Sequence, residues 1–158
     1  MAAVNIRDTG RNSARTSDVR ELATKVQKPS DTEAITAANT ITAAESGTRF
    51  IMNTATARIQ TLPTAAAGLE YWFYVGATEP TGSHTIVTAS SANVIVGNVS
   101  SPEDAAGNVA TVTDADTISL VASKAVHGDY VHVWSDGTNW YLDGMCKVQD
   151  GITTTQAS

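Results

Sequence analysis

The sequence has little of what usually cross-links or anchors a small protein. Cys146 is its single cysteine, so no intramolecular disulfide can form and a disulfide scaffold is excluded. No run reaches the roughly 20 apolar residues of a transmembrane helix, and residues 1–30 lack the apolar centre of a signal peptide. We therefore expect synthesis in the cytoplasm and a folded state held by a hydrophobic core, which a chain of 158 residues is long enough to build.

Charged residues are also scarce, at 16% of the chain, and they are unevenly placed. Residues 1–28 hold six Lys and Arg against three Asp and Glu, a net charge of +3, whereas the remainder holds four against thirteen, a net charge of −9. This asymmetry predicts a basic arm that docks on an acidic partner while the body stays soluble by self-repulsion. Binding to nucleic acid is not expected, because phosphates would repel the body everywhere beyond the arm.

Catalytic and metal-binding motifs are missing as well. There is no GxSxG nucleophile turn, no phosphate-binding loop and no HExxH pair. His84, His127 and His132 fall on separate predicted elements without ligand spacing, so we expect them to form hydrogen bonds at a surface or interface. Paired carboxylates for glycoside cleavage would show only as a distance in the folded protein. We expect no enzyme activity, no cofactor and no bound metal.

Two further groups of residues have a chemical and a plain interpretation. The acids of two turns offer oxygen ligands that suit calcium, although acids in turns without the EF-hand pattern are usually only solvated. These acids are Glu103, Asp104, Asp114 and Asp116. Cys146 has no histidine partner in the sequence, so we expect a small packed residue and not a nucleophile.

The residues that are abundant, namely Thr, Ala, Val, Ser and Gly, favour short strands and tight turns. From Ile35 onward, alternating segments recur about every ten residues, the spacing of a sandwich or barrel and not of βαβ units. We predict about ten strands in one antiparallel β-sandwich or jelly-roll-like domain over residues 34–151. Residues 152–158 are predicted to be a tail that pairs at a sheet edge or frays.

The clearest local signal is a hairpin over residues 129–144, DYVHVWSDGTNWYLDG. Asp136-Gly137 between alternating apolar residues predicts a type I′ turn, with Val133 opposite Trp140. A four-residue loop gives the same facing, whereas a three-residue loop would set valines against polar partners. One face is then apolar: Val131, Val133, Trp140 and Leu142. The other face is aromatic and polar: Tyr130, His132, Trp134, Asn139, Tyr141 and Asp143.

The segment LEYWFYV, residues 69–75, is the most aromatic strand. We assign Leu69, Tyr71, Phe73 and Val75 to the core. This leaves Glu70, Trp72 and Tyr74 on the outer face. Together with the hairpin this predicts an oligomer or partner interface, since such residues combine an apolar body with a polar tip. Its members are Trp72, Tyr74, Tyr130, His132, Trp134 and Tyr141. The alternatives are a platform on which sugars stack, and core residues with the two faces interchanged.

Residues 1–33 are predicted to be an anchoring arm that does not fold alone. Asp18 and Glu21 form a capping box, apolar residues recur at helical spacing after it, and Pro29 ends the two-turn helix. A helix this short needs a partner surface to order, and the alternative is an arm that only samples helix. The arm residues expected to contact the partner are Arg7, Arg11, Arg15, Val19, Arg20, Leu22 and Val26.

Three segments, ITAANTIT, TLPTAAAGLEYWFYVGA and SDGTNWYL, resemble β-domains of structural proteins in tailed bacteriophages. The resemblance extends from about Ile35 to Gly144 and is greatest to capsid decoration, or cement, proteins, followed by head and tail fibres. Such proteins bind the assembled capsid lattice from outside, often as trimers or dimers, without a cofactor. The pattern brings no set of functional residues with it.

The resemblance implies a virion structural protein on the capsid exterior that binds the major capsid protein lattice and stabilises it. It further implies a homo-oligomer, with a trimer favoured, and places the expected cytoplasmic synthesis in a host cell. Contact with membrane or nucleic acid is not expected, because the sequence has no membrane span and the body is acidic. The alternative is a fibre or receptor-binding module that recognises a host surface glycan. A third possibility is a head-completion or tail-tube component, which would occur in a ring of fixed copy number.

Overall fold

Two mixed β-sheets packed as a sandwich make up the computed structural model, which describes residues 31–101 and 109–158. The larger sheet has seven strands, in the spatial order β1 (Thr32–Ile35), β3 (Arg49–Met52), β5 (Glu70–Val75), β10 (Tyr130–Ser135), β11 (Trp140–Met145), β7 (Ile95–Ser100) and β8 (Val109–Ala115). The smaller sheet has five, in the order β12 (Ile152–Thr155), β9 (Thr117–Leu120), β6 (His84–Val87), β4 (Ile59–Thr61) and β2 (Asn39–Thr40). Short 3-10 turns span Ala43–Glu45 and Ala89–Ser91.

The first six strands alternate between the two sheets, so the chain winds as a flattened coil. Strands β1, β3 and β5 lie side by side in one sheet, and β2, β4 and β6 lie side by side in the other. Each strand returns to its sheet in the same direction, and these neighbours therefore pair in parallel. A parallel pair needs a long crossover, and here the crossover is the strand in the opposite sheet.

The predicted all-β sandwich is confirmed, but its pairing is mixed and not purely antiparallel. Besides the coil, β11 and β7 pair in parallel. The segment ITAANTIT does not form one strand, because β1 ends at Ile35 and β2 begins at Asn39 in the other sheet. At the boundaries, β1 begins at Thr32, two residues before the predicted domain start, and the predicted tail forms edge strand β12.

The core lies between the sheets and is built on the inward residues of the alternating strands. In β5 the predicted inward residues are buried, and Phe73 stacks on Phe50 of β3 with ring centroids 5.3 Å apart. The ring centroids of Tyr71 and Trp140 lie 5.8 Å apart on the inner face of the same sheet, so β5 contacts β11 over the intervening strand β10. The hydroxyl of Tyr71 donates to the carbonyl oxygen of Thr42, and burial raises the pKa of Tyr71 to about 12.

The hairpin has the predicted faces but a longer loop. Ser135 is opposite Trp140 and Val133 is opposite Leu142, so the loop holds four residues, 136–139, and the Val133–Trp140 register is wrong by two positions. The type I′ turn is also wrong, because Gly137 is the only loop residue with positive φ. Instead, Oδ1 of Asp136 accepts hydrogen bonds from the backbone N–H of Thr138 and Asn139, both at 2.8 Å, and closes a wider loop.

Candidate functional site

The outer surface of the seven-stranded sheet carries the predicted aromatic set. Strand alternation places these side chains outward while their sequence neighbours fill the core. We call this surface the aromatic face, and it consists of Trp72, Tyr74, Tyr130, His132, Trp134 and Tyr141. All six are partly or fully exposed, and Trp134 is 43% exposed. The alternative that these residues belong to the core is therefore wrong.

The rings pair across adjacent strands. Trp72 stacks on His132 with centroids 4.2 Å apart and planes 6° apart. Trp134 stacks on Tyr141 at 4.2 Å and 14°. Face-to-face contact between side chains of neighbouring strands requires ring planes that stand upright on the sheet. The rings therefore stack face to face, and their edges point to the solvent.

Charged groups of both signs flank the stacked rings. The guanidinium of Arg49, on β3, lies over the Trp72 ring at 5.3 Å from its centroid. Trp72 is thus held between Arg49 on one side and His132 on the other. Nε2 of His132 has no hydrogen-bond partner among the described residues and lies 3.7 Å from Oε2 of Glu70. Arg49, Trp72 and His132 thus lie in one cross-strand row, and Glu70 lies in the next row, opposite Trp134.

The hairpin loop fixes one end of the aromatic face. The hydroxyl of Tyr141 donates to Oδ2 of Asp136 at 3.0 Å, so the carboxylate that closes the loop also positions a ring of the face. Hydrogen bonds from Asn139 and Thr138 and from the Tyr141 hydroxyl hold the pKa of Asp136 below its usual value. The same bond raises the pKa of Tyr141. This end of the face is therefore anionic and already ordered.

Tyr74 and Tyr130 lie towards the other end, with ring centroids 5.8 Å apart at a tilt of 38°. Burial, and secondarily Asp143 and Tyr74, raise the pKa of Tyr130, which stays a neutral hydrogen-bond donor at neutral pH. The exposed thioether of Met145 stands opposite Tyr130 in the pairing of β10 with β11. The face as a whole is amphipathic, with hydroxyl and ring N–H edges above an apolar base.

The other predicted sites lie apart from this face. The arm residues fall within residues 1–30, outside the described residues. His84 is buried and not at a surface: its Nδ1 accepts the Arg58 backbone N–H at 3.1 Å, and its Nε2 bonds the Thr54 carbonyl at 2.9 Å. Burial lowers the pKa of His84. His127 is exposed, its carbonyl accepting the Lys147 ammonium.

Possible metal ligands do not gather in the described ranges, 31–101 and 109–158, where no three His, Cys, Asp or Glu side chains are placed to hold an ion. Of the calcium candidates, Asp116 is buried and Asp114 is exposed with a φ of +55°, while Glu103 and Asp104 lie outside the described residues. Cys146 is buried with Sγ 3.7 Å from the Ser100 carbonyl oxygen, which confirms it as a packed residue.

One cleft was not predicted from sequence. It measures about 390 Å³ and lies where the β4–β5, β6–β7 and β10–β11 loops converge at one end of the sandwich. Its lining includes Pro63, Thr64, Ser90, Val94, Thr138 and Trp140. The lining carries hydroxyls and methyl groups but no ionisable side chain, so it offers no acid or base.

Sequence reasoning also missed Arg49 as a neighbour of the aromatic face. Arg49 precedes the buried Phe50 in β3, and strand alternation therefore predicts that Arg49 points outward. What the sequence did not reveal is that β3 lies parallel and next to β5, which brings Arg49 opposite Trp72. Glu70, by contrast, was predicted to share the outer face with Trp72 and Tyr74, and it does.

No known family model, no curated protein and no solved structure matches this chain. The described part of the chain contains no helix that could span a bilayer.

Proposed function

We propose that this chain is a structural protein of a phage particle that binds the outside of the assembled capsid and stabilises it. The observation that carries the proposal is the aromatic face, which gathers residue types typical of protein interfaces on one rigid sheet. The resemblance of the sequence to capsid decoration proteins supplies the identity of the partner, the major capsid protein lattice.

The geometry of the rings favours a protein partner over a sugar. Stacking on a pyranose needs an open ring face, whereas both faces of Trp72 are taken by Arg49 and His132, and Tyr141 covers one face of Trp134. Ring edges, hydroxyls and flanking charges instead suit the side chains and backbone of a protein surface. Recognition of a host glycan is the second candidate, and the 43% exposure of Trp134 is what favours it.

Attachment would stabilise the shell by mass action, since the chain binds the assembled lattice and not its free subunits. The gain is about 2.7 kcal/mol per site at a hundredfold excess over Kd. The basic arm adds a second attachment point of opposite charge to the body, whose net charge is −9 beyond residue 28 with four bases against thirteen acids. Several copies acting together would hold a lattice better than one.

The test is co-sedimentation with capsids of the phage that encodes the chain. We expect Trp134→Ala and Tyr141→Ala to lower the bound fraction, because each removes half of a stacked pair. Ile59→Ala is the matched control, since Ile59 is 52% exposed but lies on β4 of the other sheet. Equal binding by all three variants and the wild type would overturn the role of the face.

Deleting residues 1–28 separates the arm from the face. We expect a folded, soluble body that no longer attaches to shells, because it has lost its basic segment. Undiminished co-sedimentation of this truncated body would contradict the arm's role. Counting copies against the major capsid protein in purified virions tests the decoration role itself, which predicts many copies and not one ring. Binding to a glycan array instead would favour the fibre alternative.

A further inference from the structure

The four sheet edges differ in how open they are to another strand. Strand β2 has two residues, and β1 and β12 have four each, with the acid Glu33 exposed in β1. Strand β8 has seven residues, Val109–Ala115, and pairs only with β7 among the described strands. An edge of this length presents a row of backbone N–H and C=O groups to any extended segment.

β8 also lacks most of the features that block edge pairing. It has no Pro and no Lys, and its only charge, Asp114, sits at a register shift near the end of the strand. Residues 109–112 pair regularly with β7, and the shift lies between Val112 and Ala115, so Asp114 falls outside the uncharged stretch 109–113, VATVT. Val109 is 54% exposed at the start of this stretch. An uncharged, β-branched, open edge strand is the pattern of a strand that has a partner.

We propose that β8 pairs antiparallel with β8 of a second copy of this chain, about a two-fold axis through Thr111. This register sets Thr111 against its own copy, Val109 against Thr113 and Ala110 against Val112. Every one of these pairs is uncharged, and β-branched cross-strand pairs are favourable. The pairing covers the exposed Val109 and joins two seven-stranded sheets edge to edge.

The self-complementarity of VATVT is what points to a second copy as the occupant. Read in the opposite direction the stretch is TVTAV, so a copy of itself meets Thr, Val and Ala at every position. Residues 1–28 of the chain, by contrast, hold nine charged residues and would set charges against this neutral edge. An edge that pairs with itself is isologous and closes as a dimer. The proposal therefore gives two-fold symmetry where the family resemblance favours a trimer.

This pairing is independent of the proposed capsid partner, because it predicts a dimer of the purified full-length chain in solution. The test is light scattering with size-exclusion chromatography over a concentration series. Thr111→Lys and Thr111→Glu each place like charges directly opposite at the axis, and each is expected to weaken the dimer about tenfold or more. Mixing the two variants in equal amounts should restore a dimer, since Lys then faces Glu.

Thr40→Lys is the matched control, because Thr40 is exposed on β2, the edge of the other sheet. It should leave the dimer unchanged, and circular dichroism should show all variants folded. A monomeric wild type would overturn the proposal, and so would an oligomer that Thr111→Lys and Thr111→Glu leave intact. A dimer that does not bind capsids would contradict only the proposed function. A monomer that binds capsids would contradict only the β8 pairing.

Discussion

Gly97 makes the most specific prediction about stability. It lies in β7 with a φ of +148°, and a Cβ added there would stand 2.0 Å from the carbonyl oxygen of Leu142 in β11. Gly68 also has positive φ, +86°, but a Cβ there would meet nothing within 4 Å. The two glycines therefore separate backbone strain, which both share, from a steric clash, which only Gly97 has.

The expected costs follow from that difference. Gly68→Ala carries the strain of a left-handed residue, about 1 to 2 kcal/mol. Gly97→Ala carries similar strain, and in addition the two strands have to part by about 1 Å to clear the contact. Loss of ladder hydrogen bonds between β7 and β11 brings the total to about 3 to 5 kcal/mol. For a chain of this size that corresponds to a melting temperature lower by about 6 to 20 °C.

The assay is reversible urea unfolding of the wild type and the two variants, followed by the fluorescence of the buried Trp140. Gly97→Ala should unfold at a clearly lower midpoint than Gly68→Ala, with the slope of the transition unchanged. Equal midpoints for the two variants would refute the close approach of β7 to β11, and with it the parallel pairing that places the hairpin in the sheet.

Two further predictions follow from hydrogen-bonded titratable groups. Because burial lowers the pKa of His84, the unfolded chain takes up its proton first, and the unfolding free energy should fall as pH drops below about 6.5. Urea unfolding at pH 7 and pH 5 should show a smaller loss in His84→Gln, and equal losses would contradict this. Asp136→Ala should lower the melting temperature more than Asp143→Ala, because Asp136 closes the hairpin loop. The contribution of the Asp136 carboxylate to the unfolding free energy is present above its unfolded pKa and is lost as pH falls through the lowered folded pKa. Scanning calorimetry of both variants at neutral and acid pH checks the size of the effect and its pH dependence.

Local alternation was enough to predict the aromatic face. In β5 and β10 every second residue belongs to the less polar set and is buried, as with Phe73 and Val133, so the period of two separates core from surface. The hairpin's faces followed for the same reason, and they were insensitive to whether the loop held two residues or four. The loop length itself depended on the Asp136 carboxylate, whose bonds to Thr138 and Asn139 a dipeptide preference does not include.

The pairing between strands distant in the chain could not be predicted from the sequence. The sequences of β3 and β5 do not show that the two strands pair in parallel, or that β4, which lies between them in the chain, belongs to the other sheet. The antiparallel expectation failed at this point, and the contact of Arg49 with Trp72 was missed with it. His84 was predicted to lie at a surface or interface. The sequence does not show that its two ring nitrogens bond to the backbone N–H of Arg58 and the carbonyl of Thr54.

The winding of the first six strands has a consequence for synthesis on the ribosome. Strand β5 can join β3 as soon as both have emerged, but its other neighbour, β10, follows more than fifty residues later, with Tyr74 opposite Tyr130. Until then the nascent chain carries a growing sheet with one open, aromatic edge, and non-local pairings of this kind form slowly. The interval between the emergence of β5 and the emergence of β10 is therefore the one in which we expect chaperones to matter most for this protein.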